Sequence, residues 1–255
     1  MIPKIIHYCW FGGKPLPKEH NKYIEEWKKL MPDYQFKKWD ESNFDINKYR
    51  FAKEAFDAGK LAYVADYCRV LILYNEGGIY LDTDVRVQRR FDEYLNCTFF
   101  SSYECHLKPN ERPIGVDANG KKINSEQKKV IECGIMSAAI AGVAGSMFLK
   151  ECLDFYNNVS FEYVMKFRQT IPTVLANHAE KYGFKYKDEF QCLHDGIVIY
   201  PSNVFANYDN FNKYSTTIHY CAGSWNKKST LKRIRGKLYR IAWLRKIVQY
   251  IKYKL

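Results

Sequence analysis

The sequence has 255 residues, of which 47% are hydrophobic and 27% charged, and its formal net charge is +12. This composition is typical of an ordinary soluble globular protein that is long enough to bury a sizeable core. It contains no run of about 18 apolar residues, and its first residues form too short an apolar run for a signal peptide, so neither a membrane span nor a secretory leader is expected.

The first half of the chain predicts alternating strands and helices. Each of the two strongest helices has a stop signal, Pro32 for the first and Gly77-Gly78 for the second. A helix, a Gly-Gly stop and a strand in succession are typical of an α/β unit. The expected strands are 4–11, 34–40 and 79–87, and the expected helices are 18–32, 47–58 (less regular) and 61–78.

The second half of the chain predicts a mixture of strands, helices and one long polar segment. Residues 104–129 are polar and contain Pro and Gly, which predicts an exposed loop. The other expected elements are a strand at 98–104, a short apolar segment at 134–142, helices at 144–157 and 169–182, and strands at 196–205 and 216–225. We find no internal repeat and no domain boundary before about residue 226.

The positive charge is concentrated in residues 227–255, which hold 11 Lys and Arg and no acidic residue, leaving 29 basic and 28 acidic residues in 1–226. Apolar residues recur there every three or four positions, which predicts a basic amphipathic helix. Such a helix suits an anionic membrane surface. Nucleic acid is the rival partner of a basic segment, and packing on the chain's own domain is the plain alternative.

The eight cysteines are scattered without C-x-x-C spacing, and several lie in apolar runs. This usage favours a reduced, cytosolic protein, although an even number of cysteines does not exclude disulfides.

Two aspartates, Asp82 and Asp84, stand one residue apart at the end of the apolar run IYL. If they lie on a strand, they point to the same side, and their repulsion needs a cation or a proton between them. A divalent cation that bridges to a diphosphate would meet this need, because Mg²⁺ and Mn²⁺ prefer oxygen ligands. An isolated D-x-D is most often a turn with solvated carboxylates.

Two other interpretations of the aspartates fit less well. An EF-hand loop that starts at Asp82 would need an oxygen ligand at position 5 and Gly at position 6, where Arg86 and Val87 stand. A phosphatase with an aspartate nucleophile would also show D-x-D, but usually after the first strand. We keep the phosphatase as a minor alternative.

The helix before the aspartates carries Asp66 and Arg69, which share one face because they are three residues apart. An ordinary ion pair is the plain interpretation, and such a pair contributes only a few tenths of a kcal/mol on an exposed surface. The alternative is that the helix directs an acid and a base toward the metal-bound ligand.

The segment AYVADYCRVLILYNEGGIYLDTDV closely resembles the signature of the DXD-containing sugar transferases of glycosyltransferase family 32. This family includes fungal Golgi mannosyltransferases and bacterial capsule and lipopolysaccharide enzymes, and it is related to the large clostridial glucosylating toxins. Three further segments agree with the resemblance, which covers about residues 2–226: IPKIIHYCWFGG, YQFKKWDESN and IHYCAGSW.

The resemblance implies a GT-A fold, a Rossmann-like α/β domain with a mixed central sheet that binds a nucleotide sugar and Mn²⁺ or Mg²⁺. It implies a DxD formed by Asp82 and Asp84, with His219 as a further metal ligand. It also implies donor contacts, which are listed here by position: His7, Trp10, Trp39, Asp66, Arg69, Tyr80, Asp82, Ser224 and Trp225. Asp66, Arg69, Asp82 and Asp84 are the implied catalytic residues.

The chain departs from the family pattern at two places, Cys133, where Asn is frequent, and Ile171-Pro172, where T-G-P is frequent. The donor-sugar contact expected from position 133 is therefore in doubt. No dedicated base is evident, and the departing phosphate oxygen can take the acceptor's proton. Residues 104–129 and 191–196 are candidates for the acceptor pocket, where His194-Asp195 could act as a base, although a polar loop is the plainer interpretation.

Together these features predict a glycosyltransferase domain at 1–226 and a basic amphipathic helix at 227–255. The expected reaction is metal-dependent, retaining transfer of a hexose, with UDP-galactose or UDP-glucose favoured, to a saccharide or lipid-linked saccharide during surface-polysaccharide synthesis. The expected location is the cytoplasm, peripherally on the inner face of the plasma membrane, with no nucleic-acid partner. The alternative is a membrane- or nucleic-acid-binding module in which the DxD is inert.

Overall fold

The computed structural model describes residues 1–107 and 111–223. The predicted basic helix at 227–255 therefore lies outside the described residues. The strands are β1 Ile5–Cys9, β2 Gln35–Trp39, β3 Gly78–Leu81, β4 Val85–Val87, β5 Phe99–Cys105, β6 Cys133–Ile135, β7 Ala139–Gly142, β8 Gln191–Cys192, β9 Ile197–Tyr200, β10 Phe205–Asn207 and β11 Thr217–His219. The helices are α1 Lys18–Leu30, α2 Arg50–Asp57, α3 Leu61–Glu76, α4 Met147–Asn158, α5 Phe161–Phe167 and α6 Ile171–Ala179.

Eight strands form one mixed sheet in the order β2-β1-β3-β7-β5-β9-β8, with β6 paired to β5. β1 is parallel to β2 and β3, and β5 is parallel to β9, whereas β7 runs antiparallel to both β3 and β5. β1, β3 and β5 therefore all end at the same edge of the sheet, which we call the carboxyl edge. The predicted α/β class with a mixed central sheet is confirmed.

Apolar side chains cover both faces of this sheet. Helices α2 to α6 pack on one face. α1 covers the other face together with a small three-stranded sheet in the order β10-β11-β4. Trp27 of α1 is fully buried, and its indole N–H donates a hydrogen bond to the Val85 carbonyl over 3.0 Å. This contact ties α1 to the small sheet directly after the DxD aspartates.

The predicted strand 79–87 is wrong, because β3 and β4 belong to different sheets. Between them the chain turns, and the Val85 N–H donates to the Asp82 carbonyl over 3.0 Å. β4 then pairs with β11 instead of extending β3. The aspartates therefore lie in a turn, and the two-residue strand repeat is not what places them together. The apolar pattern continues through the turn because Val85 and Val87 are buried in the second sheet.

Most other elements agree with the predictions to within a few residues. α5 was not predicted, and residues 134–142 form two strands, β6 and β7, instead of one segment. The loop predicted at 104–129 starts inside β5, which runs to Cys105, and its part at 111–129 holds no helix or strand beyond the single bridge between Val116 and Lys122. Within the described ranges, none of the helices combines the length and apolarity that crossing a bilayer requires.

Candidate functional site

The turn Asp82-Thr83-Asp84 stands at the carboxyl edge, directly after β3. The Thr83 hydroxyl shares a hydrogen bond of 2.9 Å with Nδ1 of His20, on α1. The Asp84 carbonyl accepts a hydrogen bond from the Tyr220 N–H, and its carboxylate accepts one from the Ala222 N–H. α1 and the chain after β11 therefore hold this turn, although both are far from it in sequence.

His219 reaches the turn because of strand register. It lies opposite Val85 in the antiparallel pairing of β11 with β4, so it stands beside Asp84. Its Nε2 is 3.4 Å from Oδ1 of Asp84 and 3.9 Å from Oδ2 of Asp82. One ligand atom from each of the three residues lies within 4.8 Å of the others.

Two carboxylate oxygens and an imidazole nitrogen are a donor set that suits Mn²⁺ or Mg²⁺. In an octahedral site with bonds of about 2.1 Å, neighbouring ligands are about 3 Å apart, so the 3.4 Å and 3.9 Å separations of Nε2 from the two carboxylates would have to shorten around a cation. Nδ1 of His219 is 3.1 Å from the side-chain Oδ1 of Asn207, which can accept a hydrogen bond from the Nδ1–H and leave Nε2 facing the carboxylates. The three residues fit a divalent cation.

The charges of this cluster depend on one another. Burial by itself would raise the pKa of Asp84, but His219, the Ala222 N–H and His20 outweigh burial and hold that pKa well below its usual range. Burial would lower the pKa of His219, whereas Cys221 and Asp84 raise it well above its usual value. The raised pKa of His219 favours the protonated imidazole, which would pair with the aspartates. A metal ion would take the place of that proton.

Arg69 of α3 bridges two predicted acidic residues, Asp66 on the same helix and Asp82 in the turn after β3. Its Nη2 lies 2.9 Å from Oδ1 of Asp66 and 3.4 Å from Oδ1 of Asp82, and its Nη1 donates to the Ser137 carbonyl over 2.8 Å. The guanidinium lies over the Tyr80 ring, 4.4 Å from its centre. The Tyr80 hydroxyl also donates to Asp82 over 2.9 Å, so this carboxylate is oriented from two sides.

Asp66 is buried, and its pKa is raised by that burial. Only 8% of the residue is exposed, and burial raises its pKa to about 6, opposed by Arg69 and assisted by the charge of Asp82. The interpretation of Asp66 and Arg69 as an ordinary exposed ion pair is therefore wrong. Their pair is buried at the carboxyl edge, next to the DxD turn.

The residues predicted from the opening segments divide into two groups. Trp10 faces the DxD side, because its ring packs edge-on against His20, the partner of Thr83, with 5.7 Å between ring centres. His7 is fully buried, and both of its ring nitrogens have protein partners, the Trp39 indole N–H at 3.1 Å and the Gly77 carbonyl at 2.9 Å. His7 therefore has no ring nitrogen left for a nucleotide.

Trp39 lines a cavity of about 240 Å³ that borders the second half of α3, including Asn75 and Glu76. None of the residues that line this cavity belongs to the charged cluster around Asp82, so the cavity does not include that cluster. Ser224 and Trp225 lie outside the described residues, and their predicted contacts stay predictions.

The two segments predicted for the acceptor lie at different edges of the sheet. His194 and Asp195 precede β9, which is parallel to β5, so they stand at the edge opposite the aspartates. The first residues of the 104–129 segment lie at the carboxyl edge, where β5 ends. Only this segment is placed near the DxD turn.

Sequence reasoning missed a polar chain that continues from His219. The Asn207 amide donates to Oε1 of Glu104 over 3.1 Å, and Nε2 of His106 lies 3.5 Å from the same oxygen. Glu104 and His106 stand at the end of β5. The sequence did contain a signal for them: Glu104 and His106 are polar, stand one residue apart and lie at the end of a strand, as Asp82 and Asp84 do. The link from Glu104 to His219 through Asn207 depends on contacts between strands that are far apart in sequence.

Residues 17–100 match the family described as "Glycosyltransferase sugar-binding region containing DXD motif". An uncharacterized glycosyltransferase of Acanthamoeba polyphaga mimivirus is 36% identical over 106 residues, which are 39% of this chain and 42% of the relative. Inositol phosphoceramide mannosyltransferase 3 of Schizosaccharomyces pombe is also 36% identical over 106 residues, covering 37% and 28% of the two chains. The chain thus spans less than half the length of these curated relatives.

Among solved structures, the PaToxG glycosyltransferase has a TM-score of 0.48 and 15% identity, over 71% of this chain and 69% of its own. The galactosyltransferase LgtC, in complex with donor and acceptor sugar analogs, has a TM-score of 0.44 and 13% identity, over 92% and 94%. The matched family region contains Asp66, Arg69 and both aspartates of the turn, so the resemblance seen in the motif is confirmed there. Residues 17–100 of this chain are therefore similar to a glycosyltransferase sugar-binding region of the DXD type.

Proposed function

We propose that the chain is a metal-dependent glycosyltransferase of the GT-A type that transfers a hexose from a nucleoside diphosphate sugar to a saccharide or lipid-linked saccharide. The observation that carries this proposal is the convergence of Asp82, Asp84 and His219 beside the buried Asp66–Arg69 pair. Few other functions need a three-ligand cation site and a buried ion pair at the same edge of the sheet.

In this proposal Asp82, Asp84 and His219 hold Mn²⁺ or Mg²⁺. The bound cation would stabilise the negative charge that builds on the leaving diphosphate. His20 and Tyr80 keep the turn and its carboxylates in position, because each hydrogen-bonds one residue of the turn. Asn207 keeps Nε2 of His219 directed at the aspartates.

Asp66 and Arg69 are proposed to bind the hydroxyl groups of the donor sugar. Arg69 offers N–H donors, and Asp66 offers carboxylate oxygens, since a pKa of about 6 leaves it largely ionised at pH 7. A carboxylate near the sugar also favours the positive charge that develops on its ring. Retention of the anomeric configuration is supported by the family resemblance, and the similarity to the mannosyltransferase of Schizosaccharomyces pombe supports a hexose.

The acceptor is proposed to bind at the end of β5, where Glu104 and His106 stand beside the metal-ligand network. The 227–255 segment is proposed to hold the protein on the anionic inner face of the plasma membrane, supported by its 11 basic residues. Surface-polysaccharide synthesis would supply such membrane-bound acceptors.

A thermal-shift panel tests the donor proposal. With Mn²⁺ present, we expect one class among UDP-, GDP- and CMP-sugars to raise the Tm of the full chain by several degrees, with UDP-galactose and UDP-glucose favoured. EDTA should remove that shift, and the stabilising sugar should be consumed in a transfer or hydrolysis assay. If no nucleotide sugar changes the Tm, the result would contradict the transferase proposal and favour a binding module with an inert DxD. Release of phosphate from phosphomonoesters would instead favour the phosphatase.

Removal of residues 227–255 tests the membrane proposal. The full chain should sediment with phosphatidylserine-containing vesicles at low salt, and the shortened chain should stay in the supernatant. Equal sedimentation of the two chains would contradict a membrane role for this segment. Uncharged phosphatidylcholine vesicles are the control for non-specific adsorption.

A further inference from the structure

Cys105 and Cys133 face each other across the pairing of β5 with β6. The neighbouring pair is hydrogen-bonded, because the His106 N–H donates to the Glu132 carbonyl over 2.9 Å. In an antiparallel ladder such pairs alternate, so Cys105 and Cys133 form a non-hydrogen-bonded pair. Facing Cα atoms at these positions are about 4.5 Å apart, which is within the range that a disulfide spans.

The two thiols are in direct contact, with 2.8 Å between their sulfur atoms, and neither cysteine is in a disulfide. Cys133 is buried, whereas Cys105 is partly exposed and therefore open to a dissolved reagent. A hydrogen bond from the Cys133 thiol lowers the pKa of Cys105, which favours Cys105 as the attacking thiolate. The reactive sulfur and its partner thus have different access to solvent.

We infer that Cys105 and Cys133 are a redox-active dithiol, which a small-molecule disulfide such as oxidised glutathione converts into a cross-strand disulfide. The Cys105 thiolate attacks one sulfur of the reagent and releases one glutathione thiolate. The Cys133 thiolate then attacks the Cys105 sulfur of the mixed disulfide and releases the second glutathione. The two cysteines lose two protons and two electrons, and the reagent takes up the two electrons as two thiols.

The position of this dithiol connects it to the carboxyl edge. Cys105 stands between Glu104 and His106, the two residues at the far end of the His219–Asn207 chain. A disulfide to Cys133 would tie together the two ends of residues 106–132. Oxidation would therefore fix the base of this loop without using any of the proposed metal ligands.

The test uses the full reduced chain, incubated across a series of oxidised-to-reduced glutathione ratios, quenched with acid and alkylated with N-ethylmaleimide before peptide mass mapping. Cys192 is the matched control, because it is exposed. We expect a linked Cys105–Cys133 peptide pair, half-formed at an oxidised glutathione concentration at least tenfold below that which modifies Cys192, because the second thiol acts intramolecularly.

Two variants make the interpretation definite. In Cys133→Ser, the glutathione on Cys105 should remain as a stable mixed disulfide, because no second thiol can expel it. Cys133→Ala serves the same purpose should the serine variant fail to fold. The inference is overturned if Cys105 and Cys133 of the wild-type chain are still alkylated where Cys192 carries glutathione, or if wild-type Cys105 ends as the mixed disulfide.

Discussion

Replacement of Asp84 by Asn should abolish Mn²⁺ binding and reduce sugar transfer by about 10³-fold. Asp84 is the buried carboxylate of the ligand cluster, and His219 and the Ala222 N–H hold it ionised. The amide removes the negative charge that attracts a cation, and loss of a charge-stabilising group in a water-poor site costs several kcal/mol in the transition state. An Asn side chain can still accept the Ala222 hydrogen bond, so the fold should persist.

Isothermal titration with Mn²⁺ alone and a donor-consumption assay measure this effect separately. Asp33→Asn is the matched control, because Asp33 is an exposed carboxylate that pairs with Lys4 and Arg90 on the surface. It should bind Mn²⁺ as the wild type does. An Asp84→Asn chain with unchanged Mn²⁺ affinity would show that the cluster is not the metal site, even if transfer is lost for another reason.

Replacement of Arg69 by Met should lower the free energy of unfolding by about 3–5 kcal/mol, because it leaves two carboxylates without their shared cation. The Arg69 side chain is 5% exposed, and its partners Asp66 and Asp82 are 12% and 26% exposed. Water therefore screens their repulsion only in part. The Ser137 carbonyl also loses its donor.

Asp66→Asn is the comparison that tests this explanation. The amide of Asp66→Asn carries no charge, so no unpaired buried carboxylate is left, and Arg69 keeps its contacts with Asp82 and the Ser137 carbonyl. We therefore expect the free energy of unfolding to fall by less than half as much as in Arg69→Met. Urea unfolding at pH 7 without divalent cations measures both variants. Equal losses, or an Arg69→Met loss below about 1 kcal/mol, would mean that the ion pair is not what stabilises this edge.

The comparison of sequence with structure is most informative at the D-x-D. The strand repeat predicted that Asp82 and Asp84 point to the same side, whereas the structure places both aspartates in a turn, with His219 close to them. The Gly-Gly stop and the apolar IYL run are local signals, and they placed the start of β3 but not its end at Leu81. Whether the next residues continue the strand depends on a partner for β4, and that partner, β11, lies more than a hundred residues later.

His7 and Trp39 show the opposite outcome. The resemblance placed both near the donor, yet the structure pairs their rings with each other, with His7 fully buried. A motif does not distinguish a side chain that contacts a ligand from one that supports the backbone beside it. His20, Asn207 and Glu104 were missed for a related reason, because their partners lie on other elements.

The sequence by itself determined the α/β class, the helix that carries Asp66 and Arg69, and the two aspartates that follow β3. These follow from hydrophobic periodicity, stop signals and a specific motif, all of which act within about 25 residues. Only the tertiary structure shows that His219, a ligand that the resemblance implies, lies within reach of both aspartates, that Arg69 is shared by two carboxylates, and that Cys105 touches Cys133. Each of these depends on strand register or helix packing between distant segments, and a side chain's chemistry here is set by the charge and burial that those contacts create.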